Sequence, residues 1–412
     1  MTGLARAFDF LALRRDTALL LVALVLAGTG ERLWLGFAPK YLEWLGASVL
    51  IIGIFDALQT LLGAVYAYPG GWLTDRLGQR RSLLLFNALS LAGYLLVLCW
   101  NHWLALLFGS VLFLAWSALS LPATFSVVAT SLKQNQHTMG VGVQSMIRRV
   151  PMMVGPLIGG WLITRFGWEQ GVRLSLAGCV VLSSLTAVCQ WFMTETKPAS
   201  PKRPVATEAS LAGVVRAFPP ALRELLISDI LIRFCERLPY AFVILWAMNH
   251  GGVSAEQFGW LVAIEMITAL LCYIPVAHLA DKRGQRPFVL ATFFFFTLFP
   301  LTLLFAHNFA WLAVAFAVRG LKEFGEPARK ALIISLAPAG TRARTFGAYY
   351  LIRDCVVTSG SLVGAGLWSV SPQANFLGAA LCGLAGTMWF GRRRRRNDVA
   401  TGHKETSSRL AA

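Results

Sequence analysis

Glu31 and Arg32, Arg148 and Arg149, Glu236 and Arg237, and Arg353 and Asp354 stand as adjacent charged pairs inside stretches that are otherwise apolar. A charge at mid-bilayer costs about 2.5–3.5 kcal/mol on insertion scales, so such residues pair with one another or line a wet passage. A carboxylate beside an arginine offers two chemistries. It forms a fixed clamp, or it takes a proton when the arginine leaves to meet an anionic solute. Both readings stand for Glu31 and Glu236. Adjacent residues on a helix do not face each other, so partners are expected from other helices. A further set, Arg319, Lys322, Glu323, Glu326, Arg329 and Lys330, has i,i+4 spacings that allow partial self-neutralisation on one helix. Arg329 and Lys330, nearer the cytoplasm, are expected to snorkel. Asp56, Asp229 and Glu265 are isolated acids with weaker claims.

The elements that carry these charges follow from composition. Of 412 residues, 56% are apolar and 14% charged, against about 45–50% and about 25% in soluble proteins, so the bilayer is the solvent. Twelve stretches between residues 17 and 391 are long and apolar enough to span it. The predicted fold is therefore an all-α membrane protein with twelve transmembrane helices. The excess of 37 Lys+Arg over 20 Asp+Glu suggests nucleic acid only in a soluble chain. Here the basic residues gather before the first stretch, in alternate loops and after the last, while Lys40, Arg165 and Arg173 alone fall on the opposite side. That bias predicts both termini in the cytoplasm and no nucleic-acid partner. Residues 1–16 are read as a cytoplasmic N-terminus without a cleaved signal, 17–194 and 222–391 as two six-helix bundles, and 195–221 as a cytoplasmic linker. The basic tail 392–412 lacks an apolar face and is expected to be disordered. Seven cysteines lie in apolar stretches without metal-ligand spacing; no metal, cofactor or disulfide framework is implied.

The chain repeats itself. GWLTDRLGQRR at Gly71–Arg81 returns as AHLADKRGQRP at Ala277–Pro287, with Asp75 matching Asp281 and Gly78 matching Gly284. At an offset of 205, Glu31-Arg32-Leu33 matches Glu236-Arg237-Leu238, Pro122-Ala123 matches Pro327-Ala328, Ile147-Arg148 matches Ile352-Arg353, and Gly155 and Gly159 match Gly360 and Gly364. The G-x-L-x-D-R-x-G-x-R-R loop in a twelve-helix, 6+6 chain resembles the signature loop of the major facilitator superfamily, over residues 17–391.

That resemblance implies two pseudo-symmetric bundles rocking around a midplane site, with the first, fourth, seventh and tenth helices lining it, which makes Arg319, Lys322 and Glu326 candidates for contact with a solute or proton. It also implies that the first helix packs on the fifth and the seventh on the eleventh, which suggests the pairs Glu31–Arg148 and Glu236–Arg353. It implies a cytoplasmic gate made by Gly71, Asp75, Arg76, Gly78 and Arg80, with Asp281 and Gly284 in the weaker second copy. In the fifth stretch, Gly155, Pro156, Gly159 and Gly160 resemble the family's antiporter motif, although Pro151 stands where a glycine is expected; small residues there let a neighbouring helix approach. Glu236-Arg237-Leu238 with Tyr240 is similar to the glutamate–arginine stretch of proton-coupled peptide transporters. The expected function is secondary active transport of a small organic solute coupled to protons, with export favoured. More cations than acids in the membrane region favour an anionic or zwitterionic solute. The alternatives are a proton-coupled importer of a nutrient or metabolite and a non-transporting sensor. No enzymatic constellation is present. A monomer in the bacterial cytoplasmic (inner) membrane is expected.

Overall fold

The computed structural model describes residues 15–120, 148–194, 211–338 and 342–409. Lys133, the ends of the fourth and fifth stretches, and linker residues 195–210 lie outside them. Among the described residues every regular element is helical: α1 (Arg15–Trp34), α2 (Ala38–Trp44), α3 (Val49–Leu77), α4 (Gln79–Cys99), α5 (Trp103–Phe113), α6 (Arg149–Trp191), α7 (Leu211–Arg216), α8 (Pro220–Arg237), α9 (Phe242–Asn249), α10 (Ala255–Arg283), α11 (Arg286–Leu304), α12 (Phe309–Leu321), α13 (Glu326–Leu336), α14 (Arg342–Val370) and α15 (Pro372–Arg409).

Eight spans among the described residues are long and apolar enough to cross a membrane. One of them, the 43-residue α6, would measure about 65 Å if straight, twice a hydrocarbon core. It folds at Gly167, whose φ of 79° and ψ of 174° interrupt the helix, and so carries both the fifth and sixth predicted stretches. The seventh and tenth stretches do not form continuous helices. Leu238–Ala241 separate α8 from α9, where Pro239 withholds a backbone donor. Lys322–Gly325 separate α12 from α13, and the Gly325 N–H donates to Thr292 Oγ1 at 2.6 Å. The break in the seventh stretch falls at the repeat position of the 3₁₀ turn Leu35–Phe37 between α1 and α2.

Residues Leu211–Arg216 of the linker form α7, and α15 runs on to Arg409. Arginine has high helix propensity, and a preformed apolar helix removes the nucleation cost for the residues that follow.

The chain divides into two compact units. The first contains residues 1–207, 241–267 and 307–313; the second contains 208–240, 268–306 and 314–412. The first has a core around Leu20, Leu24, Phe86 and Trp116, the second around Leu222, Val289, Phe293 and Tyr349. Leu271, Phe305 and Val370 point outward and are largely exposed, as suits side chains whose solvent is hydrocarbon.

Candidate functional site

In the first unit α1 and α6 touch through glycines. A Cβ built on Gly155 lies 2.5 Å from the Cβ of Arg32, and one on Gly159 overlaps the carbonyl of Leu33. The second unit repeats this between α8 and α14: a Cβ on Gly360 lies 3.3 Å from that of Arg237, and one on Gly364 overlaps the carbonyl of Leu238. Close backbone approach therefore brings each Glu-Arg pair against the helix that carries Arg148 or Arg353. Gly160 and Pro156 serve a second contact inside the first unit, where Gly160 meets the Ala255 carbonyl and Gly259 meets that of Pro156.

What happens to the charges differs between the units. In the first, Glu31, Arg32 and Arg148 line a pocket of about 150 Å³ together with Leu24, Gly28, Trp116, Ser117, Pro151 and Met152. Glu31 is 5% exposed; Ser117 lies beside its carboxylate, and Arg32 and Arg148 attract it electrostatically. Glu31 and Arg148 thus share the wall of one space.

In the second unit the charges close on themselves. Glu236 does not go to Arg353 but accepts from Arg233 at 2.7 Å and from Lys322 at 2.8 Å. Asp229, assigned a minor part from the sequence, is the hub. It is 1% exposed and is met by Arg329, by Arg353 at 3.4 Å, by Arg233 at 3.9 Å and by the Tyr349 hydroxyl at 3.1 Å. Glu326 accepts from Arg329 at 2.6 Å and from Arg233 at 3.3 Å, with Lys330 at 3.9 Å. The expected snorkelling holds for half-exposed Lys330 and fails for Arg329, which is 1% exposed. Buried acids at 229 and 326 satisfy its guanidinium more completely than the interface would. Arg353 also bonds its neighbour Asp354 at 2.7 Å. The expectation that adjacent residues cannot pair is wrong for an arginine, whose length lets the fork curl back to the next side chain.

Arg237 and Arg319 rest on aromatic rings, both on Tyr240, with centroid distances of 4.5 and 5.6 Å. Cation–π attraction is thus part of their stabilisation. The residues that sequence reasoning underweighted are Asp229, Arg233, Tyr349 and Ser117. Asp229, Arg233 and Glu236 share a helical face by their i,i+4 and i,i+3 spacing, a signal that was available. Ser117 carries no such mark.

At the loop motif, Gly78 (φ 84°) and Gly284 (φ 82°) adopt left-handed backbone, a conformation open to glycine without the Cβ penalty. Both retain glycine in both copies for that reason. Arg76 stacks on Trp72 and Arg80 on Trp191, with centroid distances of 5.3 and 4.9 Å. Beside the motif, a Cβ on Gly70 would stand 2.5 Å from the Leu119 carbonyl. The side chains of Asp75 and Asp281 lie outside the described residues.

A sequence profile described as Major Facilitator Superfamily matches residues 20–243 and 225–412. "Multidrug resistance protein MdtG" of Citrobacter koseri is 24% identical over 405 residues, covering 94% of this chain and 97% of that protein. Among solved structures, nucleoside transporter NupG superposes with a TM-score of 0.76 at 11% identity, covering 91% of this chain and 99% of that one. A peptide transporter POT solved in complex with sulfate gives 0.72 at 15% identity, covering 91% and 93%. The structural likenesses speak for the fold. Together with the profile they make this chain a multi-pass membrane transporter rather than an enzyme, and it belongs to the major facilitator superfamily.

Proposed function

We propose that the chain is a secondary active transporter that exports a small anionic or zwitterionic organic solute in exchange for protons. The halves 17–194 and 222–391 rock against each other, with both termini in the cytoplasm of a bacterial cell. Glu31 carries this reading. It is a buried carboxylate on the wall of a pocket that also presents two guanidinium groups. It is held by a serine and by electrostatic attraction, so it can gain and lose a proton without dismantling a salt-bridge network. Glu236, held by two ion pairs, is better suited to a clamp.

Export is supported by the MdtG relatives and by the small-residue motif around Gly155–Gly160, which packs α6 on both α1 and α10. The loop at Gly71–Arg81, with its left-handed Gly78, acts as a cytoplasmic gate through Asp75 and Arg76. The test is accumulation of candidate solutes in energised everted vesicles. Export predicts uphill uptake that collapses when the proton gradient is dissipated. Net uptake into intact cells instead would make the chain an importer, and no movement in either orientation would remove the transport mechanism offered here.

A further inference from the structure

Counting 205 residues forward converts each wall of the first-unit pocket into its counterpart in the second unit. Glu31, Arg32 and Arg148 keep their identities as Glu236, Arg237 and Arg353, whereas Leu24 becomes Asp229, Gly28 becomes Arg233 and Ser117 becomes Lys322. The correspondence holds in space. Gly155 and Gly159 press on Arg32 and Leu33 as Gly360 and Gly364 press on Arg237 and Leu238. Ser117 neighbours Glu31 as Lys322 neighbours Glu236.

In the second unit the three exchanged positions supply the counter-charges. Arg233 and Lys322 bond Glu236 at 2.7 and 2.8 Å, and Asp229 meets Arg353 at 3.4 Å. In the first unit the same places hold a glycine, a serine and a leucine, and all three line the 150 Å³ pocket. Glu31 therefore faces a small hydroxyl where its twin has an ammonium group, and Arg148 faces an aliphatic side chain where its twin has a carboxylate. The protein displays in one half how the constellation is completed, and leaves it incomplete in the other.

We propose that the pocket binds a small zwitterion with an apolar body, its ammonium group on Glu31 in the place of the Arg233 and Lys322 cations and its carboxylate on Arg148 in the place of Asp229. The apolar part lies against Trp116 and Met152. This inference rests on the transport reading and names its substrate class. Proton and ammonium group then compete for one carboxylate, which is the condition for exchanging one against the other.

The test uses the purified full-length chain and three compounds of one shape: L-leucine, isoamylamine, which lacks the carboxylate, and 4-methylpentanoate, which lacks the amine. Stabilisation against thermal unfolding reports binding to the native state. L-Leucine is expected to bind at least tenfold more tightly than either relative. Glu31→Gln is expected to erase its advantage over 4-methylpentanoate, and Arg148→Gln its advantage over isoamylamine. Ser117→Lys installs the side chain that the second half accommodates at the same place and is expected to abolish leucine binding. Equal binding of L-leucine and 4-methylpentanoate, or unchanged leucine binding by Ser117→Lys, overturns the proposal in favour of an anion site or a site elsewhere. If leucine fails to bind while energised everted vesicles still accumulate a drug, the zwitterion pocket falls and the transport reading stands; if both fail, both fall.

Discussion

Lys322 donates to Glu236 across 2.8 Å, whereas Ser117, its counterpart 205 residues earlier, sits beside Glu31. This is one of three exchanges of side chain that separate two halves sharing the same Glu-Arg-Leu segment and the same pair of helix-packing glycines. The lysine comes from the turn between α12 and α13, where the broken helix lets it reach α8. With Lys322 in place, four carboxylates (Asp229, Glu236, Glu326, Asp354) and four buried or half-buried cations (Arg233, Lys322, Arg329, Arg353) compensate one another. The network ties α8, α13 and α14 together. Ser117 cannot close such a network, and the acid beside it stays available.

Exchanging the two glutamates for glutamine should therefore give different phenotypes. Glu31→Gln is expected to abolish proton-driven uphill movement while leaving protein abundance near wild type. Glu236→Gln is expected to lower abundance and thermal stability, with transport falling in proportion. Vesicle transport normalised to protein amount separates the two; a pure coupling defect in Glu236→Gln would reverse the assignment.

Asp229→Asn leaves Arg329, Arg353 and Arg233 without their common acid. Removing one partner of a buried pair costs about 3–5 kcal/mol, so a lower melting temperature in micelles and reduced membrane abundance are expected. The double substitution Asp229→Leu with Arg329→Met is expected to recover only part of that loss, since Arg233 and Arg353 still lack the acid and Glu326 loses Arg329.

Gly159→Ala and Gly364→Ala each drive a methyl group into a carbonyl of the facing helix. Overpacking of this kind costs about 1–3 kcal/mol, and similar losses are expected in the two halves because the contact is the same. Gly366→Ala, whose Cβ would meet nothing within 4 Å, should be neutral or stabilise by up to about 1 kcal/mol through the unfolded chain. Thermal unfolding of the three variants side by side checks the pattern.

At the loop motif, Asp75→Asn is expected to slow transport several-fold while the folded protein stays in the membrane at normal amount. Gly78→Ala forces a side chain into left-handed backbone at a cost of about 1–2 kcal/mol, and should lower stability as well as rate. Turnover at saturating solute, compared with abundance by immunoblot, distinguishes the two.

The sequence alone determined the solvent, the duplication and the positions that matter most. Apolar stretches of membrane length, the 205-residue offset, and the glycines at 78, 155, 159, 284, 360 and 364 are properties of spacing and residue type, and spacing survives folding. The break at Pro239 was not legible from the proline alone, since Pro69, Pro156, Pro275 and Pro300 stand inside helices that continue past them. Partner choice was not legible. An ion pair is set by which side chains reach a common point from different helices, and long flexible arginines and lysines reach several. Hence Arg353 went to Asp229 and to its own neighbour rather than to Glu236, and Arg329 turned inward instead of towards the interface. The contrast between an open and a filled charge site is a still more distant property. It depends on volume, on a glycine and a serine leaving room where an arginine and a lysine take it, and only packed helices create that room.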